Sequence, residues 1–124
     1  MPKPHVVVID DDPVARNSVS ALLTAFNFTV ESFASAEEFL ACNDRPQHSC
    51  LLIDVQLPGM SGRDLQKTLN EMGDPSPLIL ISGYVEPSFV QEAVEDGAIS
   101  VLEKPVAPNS LVAHLQRALG LDDQ

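Results

Sequence analysis

Five short strand-like runs, each followed by a longer segment of helical periodicity, set the strongest limit on how this chain can fold. His5 to Ile9, Cys50 to Ile53, Leu78 to Ile81 and Ile99 to Leu102 are mostly apolar at consecutive positions. The first three read as buried strands and the last as a further strand. Phe28 to Phe33 alternates instead, and reads as a strand nearer a sheet edge.

The intervening segments carry helix signals. From Pro13 to Phe26 the apolar residues Val19, Leu22, Leu23 and Phe26 recur at helical spacing. Ser35 with Glu38 forms a capping box, opening a helix that runs to about Asn43. Gln56 to Gly62 holds Pro58, Gly59 and Gly62 and reads as a loop. Ser61 with Asp64 then has capping-box spacing, with Asp in place of the usual Glu or Gln, and its helix stops near Gly73 and Pro75. Pro87 opens a helix with Phe89, Val90, Ala93 and Val94 on one side and Gly97 at its C-terminal cap. Pro108 opens the last, with Leu111, Val112, Leu115 and Leu119 inward. Five strands alternating with five helices imply an α/β fold, a parallel sheet covered on both sides. The 124 residues suit one domain, with residues 3–120 as core and 121–124 as a short polar tail.

Charge narrows the function. Eighteen acids against seven bases give a net charge of -11. That argues against a nucleic-acid surface on this domain and against an anionic membrane, and it permits a cation site. The opening apolar run is too short for a signal peptide or a membrane span, so a cytoplasmic protein is expected. Two cysteines, Cys42 and Cys50, make no disulfide framework. Cys42, His48 and Cys50 lack a fourth ligand at zinc spacing, and Cys50 suits the start of a buried strand. His5, His48 and His114 are scattered surface or packing residues, and Glu86, Glu92, Glu95 and Asp96 read as a solvated helix face.

In an open parallel sheet, ligands bind beyond the carboxyl ends of the strands. Asp10, Asp11 and Asp12 follow the first strand, Asp54 the third, Ser82 and Gly83 the fourth, and Lys104 and Pro105 the fifth. Asp12 is best read as a helix cap. If the first and third strands are neighbours, Asp10, Asp11 and Asp54 converge and repel. A hard cation relieves that repulsion, and Mg2+ favours one or two carboxylates together with waters and a phosphate oxygen. Ser82 and Lys104 then suit the remaining phosphoryl oxygens, which points to phosphoryl transfer at an aspartate.

These residues resemble the receiver domain of bacterial two-component response regulators. The resemblance rests on Val8-Ile9-Asp10-Asp11-Asp12-Pro13, Asp54-Val55-Gln56-Leu57-Pro58-Gly59-Met60-Ser61-Gly62, Ile81-Ser82-Gly83 and Glu103-Lys104-Pro105, in family order over nearly the whole chain. It implies a flavodoxin-like, doubly wound (βα)5 three-layer sandwich with strand order 2-1-3-4-5. It implies Asp54 as phosphoacceptor from a phosphohistidine on a sensor histidine kinase or a histidine phosphotransfer protein. Asp11, Asp54 and the backbone carbonyl of Gln56 are implied as ligands of Mg2+, or Mn2+ in its place, with Asp10 acting through a bound water. Ser82 and Lys104 are implied as phosphoryl contacts, and the Lys104-Pro105 bond as cis. Gln56, Gly83 and Tyr84 occupy positions that tune the lifetime of the phosphorylated form. Family analogy adds a phosphorylation-linked homodimer. The stretches Gly97-Ala98 and Leu102-Glu103-Lys104-Pro105 look closest to receivers of LuxR-type DNA-binding regulators, and a stand-alone receiver fits equally.

Two positions depart from the family pattern. Val101 stands where an aromatic switch residue is usual, and Val106 where Phe is frequent. The expectation is that the fourth-helix, fifth-strand face responds through backbone shifts; weak or constitutive signalling is the alternative. Two rival functions remain. Asp10-x-Asp12-x-Val14 resembles the nucleophile motif of haloacid-dehalogenase-type phosphatases, but only Asp122 and Asp123 follow Lys104 as an acidic pair, and Asp54 goes unexplained. A receiver-like module that docks partners without phosphorylation is the other.

Overall fold

A computed structural model describes residues 4–42 and 49–121. Ten elements alternate along the chain: β1 (His5–Ile9), α1 (Pro13–Ala25), β2 (Thr29–Phe33), α2 (Ala36–Ala41), β3 (Ser49–Asp54), α3 (Gly62–Met72), β4 (Leu78–Ser82), α4 (Pro87–Glu95), β5 (Ser100–Glu103) and α5 (Pro108–Ala118). All four strand pairings are parallel, in the order β2-β1-β3-β4-β5. This is the flavodoxin-like doubly wound arrangement.

Strand side chains alternate between faces, so each central strand feeds two cores. Val6, Val8, Cys50, Leu52, Ile79 and Ile81 face Leu23 of α1 and Leu111, Val112 and Leu115 of α5. Val7, Ile9, Leu51, Ile53, Leu78 and Leu80 face α2, α3 and α4 through Ala36, Phe39, Leu65, Leu69 and Ala93. Each fully buried Leu or Ile contributes about 1.5–3 kcal/mol over exposure. The sheet centre is therefore the rigid base on which the strand ends sit.

The outer strands are different. β2 and β5 are partly exposed, because each has one neighbour only. The last strand also begins one residue later than the apolar pattern suggests. The Ile99 amide bonds the Leu78 carbonyl at 2.8 Å, yet its side chain is exposed. Two inward assignments fail. Phe26 is the C-cap of α1 and stands 45% exposed, and Val94 is 46% exposed on α4, where only Ala93 is buried. α2 ends at Ala41; Asn43, its expected end, lies outside the described residues, as do His48, Asp122 and Asp123. Among the described residues, no helix is long and apolar enough to cross a membrane.

Caps place the helix starts beside the strand ends. The Asp12 carboxylate accepts the Val14 amide at 3.0 Å, with Pro13 at the first helical position. Ser61 and Asp64 complete a reciprocal capping box at 3.1 and 3.3 Å, so Asp serves where Glu is usual. On α2, Ser35 accepts the Glu38 amide at 3.0 Å, but Glu38 reaches past it to the Ala34 amide.

Gly62 opens α3 directly against the end of β3. A Cβ there would lie 2.5 Å from the Asp54 carbonyl oxygen and 2.9 Å from Val55 Cα. Both are backbone atoms held in the sheet and cannot give way. Gly62→Ala is expected to lower the unfolding free energy by about 1–3 kcal/mol, read from the midpoint of urea unfolding. An unchanged midpoint would mean that α3 shifts freely.

Candidate functional site

Strand register builds the site. Ile9 pairs with Ile53, so Asp10 leaves β1 beside Asp54 at the end of β3. Asp54 pairs with Ile81, and Ser82 with Glu103, so Ser82 and Lys104 arrive at the same edge. The Val55 amide bonds the Ile81 carbonyl and the Lys104 amide bonds the Ser82 carbonyl, each at 2.8 Å. The ends of β3, β4 and β5 are thereby tied together by backbone.

Carboxylate oxygens of Asp10, Asp11 and Asp54 lie within 4.8 Å of one another. Asp10 and Asp54 are buried and Asp11 is exposed. Lys104 Nζ contacts Asp54 Oδ2 at 2.6 Å, and the Gln56 amide donates to Asp54 Oδ1 at 2.9 Å. The Asp12 amide donates to Asp10 Oδ1 at 3.0 Å. One ammonium therefore sits among three acids. The donor set is all oxygen, two of the three carboxylates are buried, and their charge is only partly balanced. Such a set fits a hard divalent cation.

The electrostatics follow from this crowding. Burial raises the Asp10 carboxyl above its ordinary value, with the charges of Asp54 and Asp11 adding to the rise, while the Asp12 amide and Lys104 oppose it. Burial alone would lower the Lys104 ammonium. The hydrogen bond to Asp54 and the charges of Asp54, Asp10 and Asp11 outweigh it, so Lys104 is raised.

Ser82 and its neighbours form the rim. The buried Ser82 hydroxyl donates to the Tyr84 carbonyl at 2.9 Å and accepts the Tyr84 amide at 3.3 Å. A Cβ at Gly83 would meet nothing within 4 Å, so space is open there. Tyr84 is 71% exposed. The Lys104-Pro105 peptide is cis. Val101 packs half-buried on the α2–α4 side of the sheet, and Val106 on the α1–α5 side. A cleft of about 660 Å3 opens beside the acids, walled by Val19, Leu22, Pro105, Val106 and Leu111, with Asp10 and Lys104 at its polar end.

Two residues in this neighbourhood carry no sequence signal of their own. Arg16 of α1 donates from Nη1 to the Asp10 carbonyl at 2.6 Å. Glu37 of α2 accepts the Met60 amide at 2.8 Å across 23 positions of chain, steadying the loop after Asp54. Elsewhere, Cys50 is a buried, inert thiol pushed up to about 12 by burial. His5 sits at the opposite end of β1 near Glu31, and His114 bonds its own helix at Ser110.

A family model described as the response regulator receiver domain matches residues 6–116. The chain belongs to the response regulator receiver family. Response regulator protein TodT of Pseudomonas putida is 34% identical over 119 residues, covering 96% of this chain and 52% of TodT. Transcriptional regulatory protein FixJ of Bradyrhizobium diazoefficiens is 33% identical over 117 residues, covering 94% of this chain and 57% of FixJ. The chain thus spans about half the length of these curated relatives. The crystal structure of FixJ-N superposes with a TM-score of 0.87 at 31% identity, covering 97% of this chain and 96% of that one. The StyR response regulator gives 0.88 at 36% identity, covering 98% of this chain and 61% of StyR. A receiver is a signalling domain with a phosphoacceptor role, and receivers of this family are phosphorylated by histidine kinases. The dehalogenase-type alternative is not favoured: the acid that Lys104 contacts is Asp54, on the loop which that motif leaves unexplained.

Because Asp10 is raised in the folded state, its ionised form costs stability above that raised value. The cost fades as pH falls through the raised value and is gone below the ordinary value of 3.8, where both states are protonated. Asp10→Asn keeps an oxygen acceptor for Asp12. It is expected to raise the thermal midpoint at neutral pH in a chelator, with a margin over wild type that shrinks as pH is lowered. A margin independent of pH would remove the electrostatic explanation.

Proposed function

We propose that residues 1–124 act as one receiver unit in which Asp54 takes a phosphoryl group from the phosphohistidine of a sensor histidine kinase or histidine phosphotransfer protein. The observation that carries this reading is the 2.6 Å contact of Lys104 with a buried Asp54 beside two further acids. Asp11, Asp54 and the Gln56 carbonyl would hold Mg2+ or Mn2+, with Asp10 acting through water. Bound there, the cation neutralises the acids and the incoming phosphoryl oxygens.

The residues' own roles follow from their present partners. An Asp54 oxygen attacks phosphorus, the P–N bond to the donor imidazole breaks, and the imidazole keeps the electron pair and is protonated from solvent. With Oδ1 held by the Gln56 amide, Lys104 exchanges its contact with Oδ2 for a phosphoryl oxygen. Ser82 gives up the Tyr84 carbonyl to donate to another phosphoryl oxygen, which releases the loop between β4 and α4. With Val101 half-buried under α4, no aromatic ring turns inward, and the outer face responds through the backbone. The apolar cleft between α1 and α5 opens on Asp10 and Lys104 and offers the partner a seat beside the phosphoacceptor. The relatives named as transcriptional regulators favour a transcriptional output over a stand-alone role. Catalysis is confined to the domain's own phosphorylation and dephosphorylation.

Incubation with phosphoramidate and Mg2+ is expected to add one phosphoryl mass to the wild type, with none in Asp54→Asn and none without the metal. An adduct that survives in Asp54→Asn would overturn the assignment. Dephosphorylation needs water to approach phosphorus past the rim, where Gly83 leaves room and Tyr84 supplies bulk. Tyr84→Ala is expected to shorten the half-life of the adduct by about 2–10-fold, in the range of single-residue effects on attack geometry. An equal or longer half-life would refute a shielding role.

A further inference from the structure

Arg16 sits where its own helix does not favour it. It is the fourth residue of α1, in the turn whose partial positive charge disfavours a cation. Three acids lie a few residues upstream, yet among the described residues Arg16 makes no ion pair with any carboxylate. Its guanidinium bonds the Asp10 backbone carbonyl instead, at 2.6 Å. That carbonyl lies past the last paired residue of β1, and it belongs to the peptide joining Asp10 to Asp11. The same short stretch is held by the Asp10 amide on the Phe33 carbonyl at 3.2 Å and by the Asp12 amide on Asp10 Oδ1 at 3.0 Å. The Asp11 carboxylate, by contrast, makes no hydrogen bond or ion pair among the described residues, so its backbone is what sets where the side chain starts from.

We propose that Arg16 is a positioning residue for cation binding: its bond to the Asp10 carbonyl fixes the Asp10-Asp11 peptide and so holds the Asp11 carboxylate in place for the metal. This rests on the proposed function above and adds to it a residue outside the ligand set. The guanidinium is suited to the task because its charge-assisted bond is strong and directional. By engaging the carbonyl it takes up no carboxylate oxygen of the cluster.

Electrostatics and positioning predict opposite signs. Removing a cation from beside an acidic cluster would by itself tighten metal binding. Removing the brace would weaken it, by about tenfold if Arg16 acts as outer partners of metal ligands do. Arg16→Met keeps the apolar stem and removes the donor. The test is Mg2+ affinity of the 124-residue chain, from titration of the Asp10, Asp11 and Asp12 amide resonances, alongside the Mg2+ dependence of phosphorylation by phosphoramidate. Arg16→Met is expected to raise the half-saturating Mg2+ about tenfold in both, with the rate at saturating Mg2+ within about twofold of wild type. Arg16→Lys, which regains a donor, is expected to recover most of the affinity. Unchanged or tighter binding in Arg16→Met, with wild type still phosphorylated on Asp54, would overturn the proposal and leave the function intact. A wild type that binds no Mg2+ at these amides would overturn both. Unfolding midpoints in chelator show whether each variant folds, and Arg16→Ala, which also removes the donor and is expected to weaken Mg2+ binding in the same way, carries the comparison should Arg16→Met fail to.

Discussion

The contact between Lys104 and Asp54 is the point on which the rest of the molecule turns. Parallel strands all present their carboxyl ends at one edge, so a single register places Asp10 beside Asp54 and brings Ser82 and Lys104 to the same place. Three carboxylates within 4.8 Å of one another would repel severely if left alone. One ammonium at 2.6 Å holds Asp54 in the meantime, but it cannot balance all three. The shortfall of positive charge is the functional asset. On the proposed function a divalent cation would meet it, and Lys104 would be free to take a phosphoryl oxygen. In a chain of net charge -11 the surroundings supply little relief of their own.

Such a site needs a rigid base and adjustable loops. The base is the β1-β3-β4 centre, with apolar side chains packed on both faces. The loops are braced from outside the acid cluster. Gly62 lets α3 start on the Asp54-Val55 backbone, Glu37 holds the Met60 amide from α2, and Arg16 holds the Asp10 carbonyl from α1. Each brace bonds backbone and leaves the acid side chains free. That division lets the carboxylates exchange partners while their strand ends stay fixed.

Much of this was legible in the sequence, and the limits are physical. β1, β3 and β4 read clearly because burial on both faces demands consecutive apolar residues. β5 read less well because an edge strand is only partly covered on each face, so exposed Ile99 and paired Glu103 fall on the wrong sides of the apparent boundary. Phe26 and Val94 fit a helical period yet stay exposed, since periodicity gives a face and not the width of what covers it. Asp10, Asp11, Asp54, Ser82 and Lys104 stood out because each stands at or just past the end of a strand. Arg16 and Glu37 did not, because their partners are backbone atoms that no residue type advertises. The hydroxyl of Ser82 was placed by the sequence but its present partner, the Tyr84 carbonyl, was not.

The attachment of α4 shows how a change at Asp54 can reach the surface without an aromatic at Val101. Only Ala93 of α4 is fully buried, and its N-cap Glu86 makes no side-chain cap, so its first turn is held chiefly by the partly buried Phe89 against the core. Its last turn is held well. The buried Gln66 of α3 donates to the Ala93 carbonyl at 3.0 Å and accepts from Arg63; Arg63 pairs with Asp96 at 2.8 Å, and Asn70 donates to the Asp96 carbonyl at 2.8 Å. The end without a side-chain cap is the one that follows the Ser82-Tyr84 loop, and the other end leads back through α3 to Gly62 and the Asp54 backbone. On the proposed function, a displacement of Ser82 would act on the end of α4 that has no side-chain cap, while the other end is clamped by polar bonds. The apolar contact resisting that motion is chiefly that of Phe89, since Val94 faces solvent and Val101 beneath is short. A tilt of α4 about its C-terminal turn would then carry the response through the backbone.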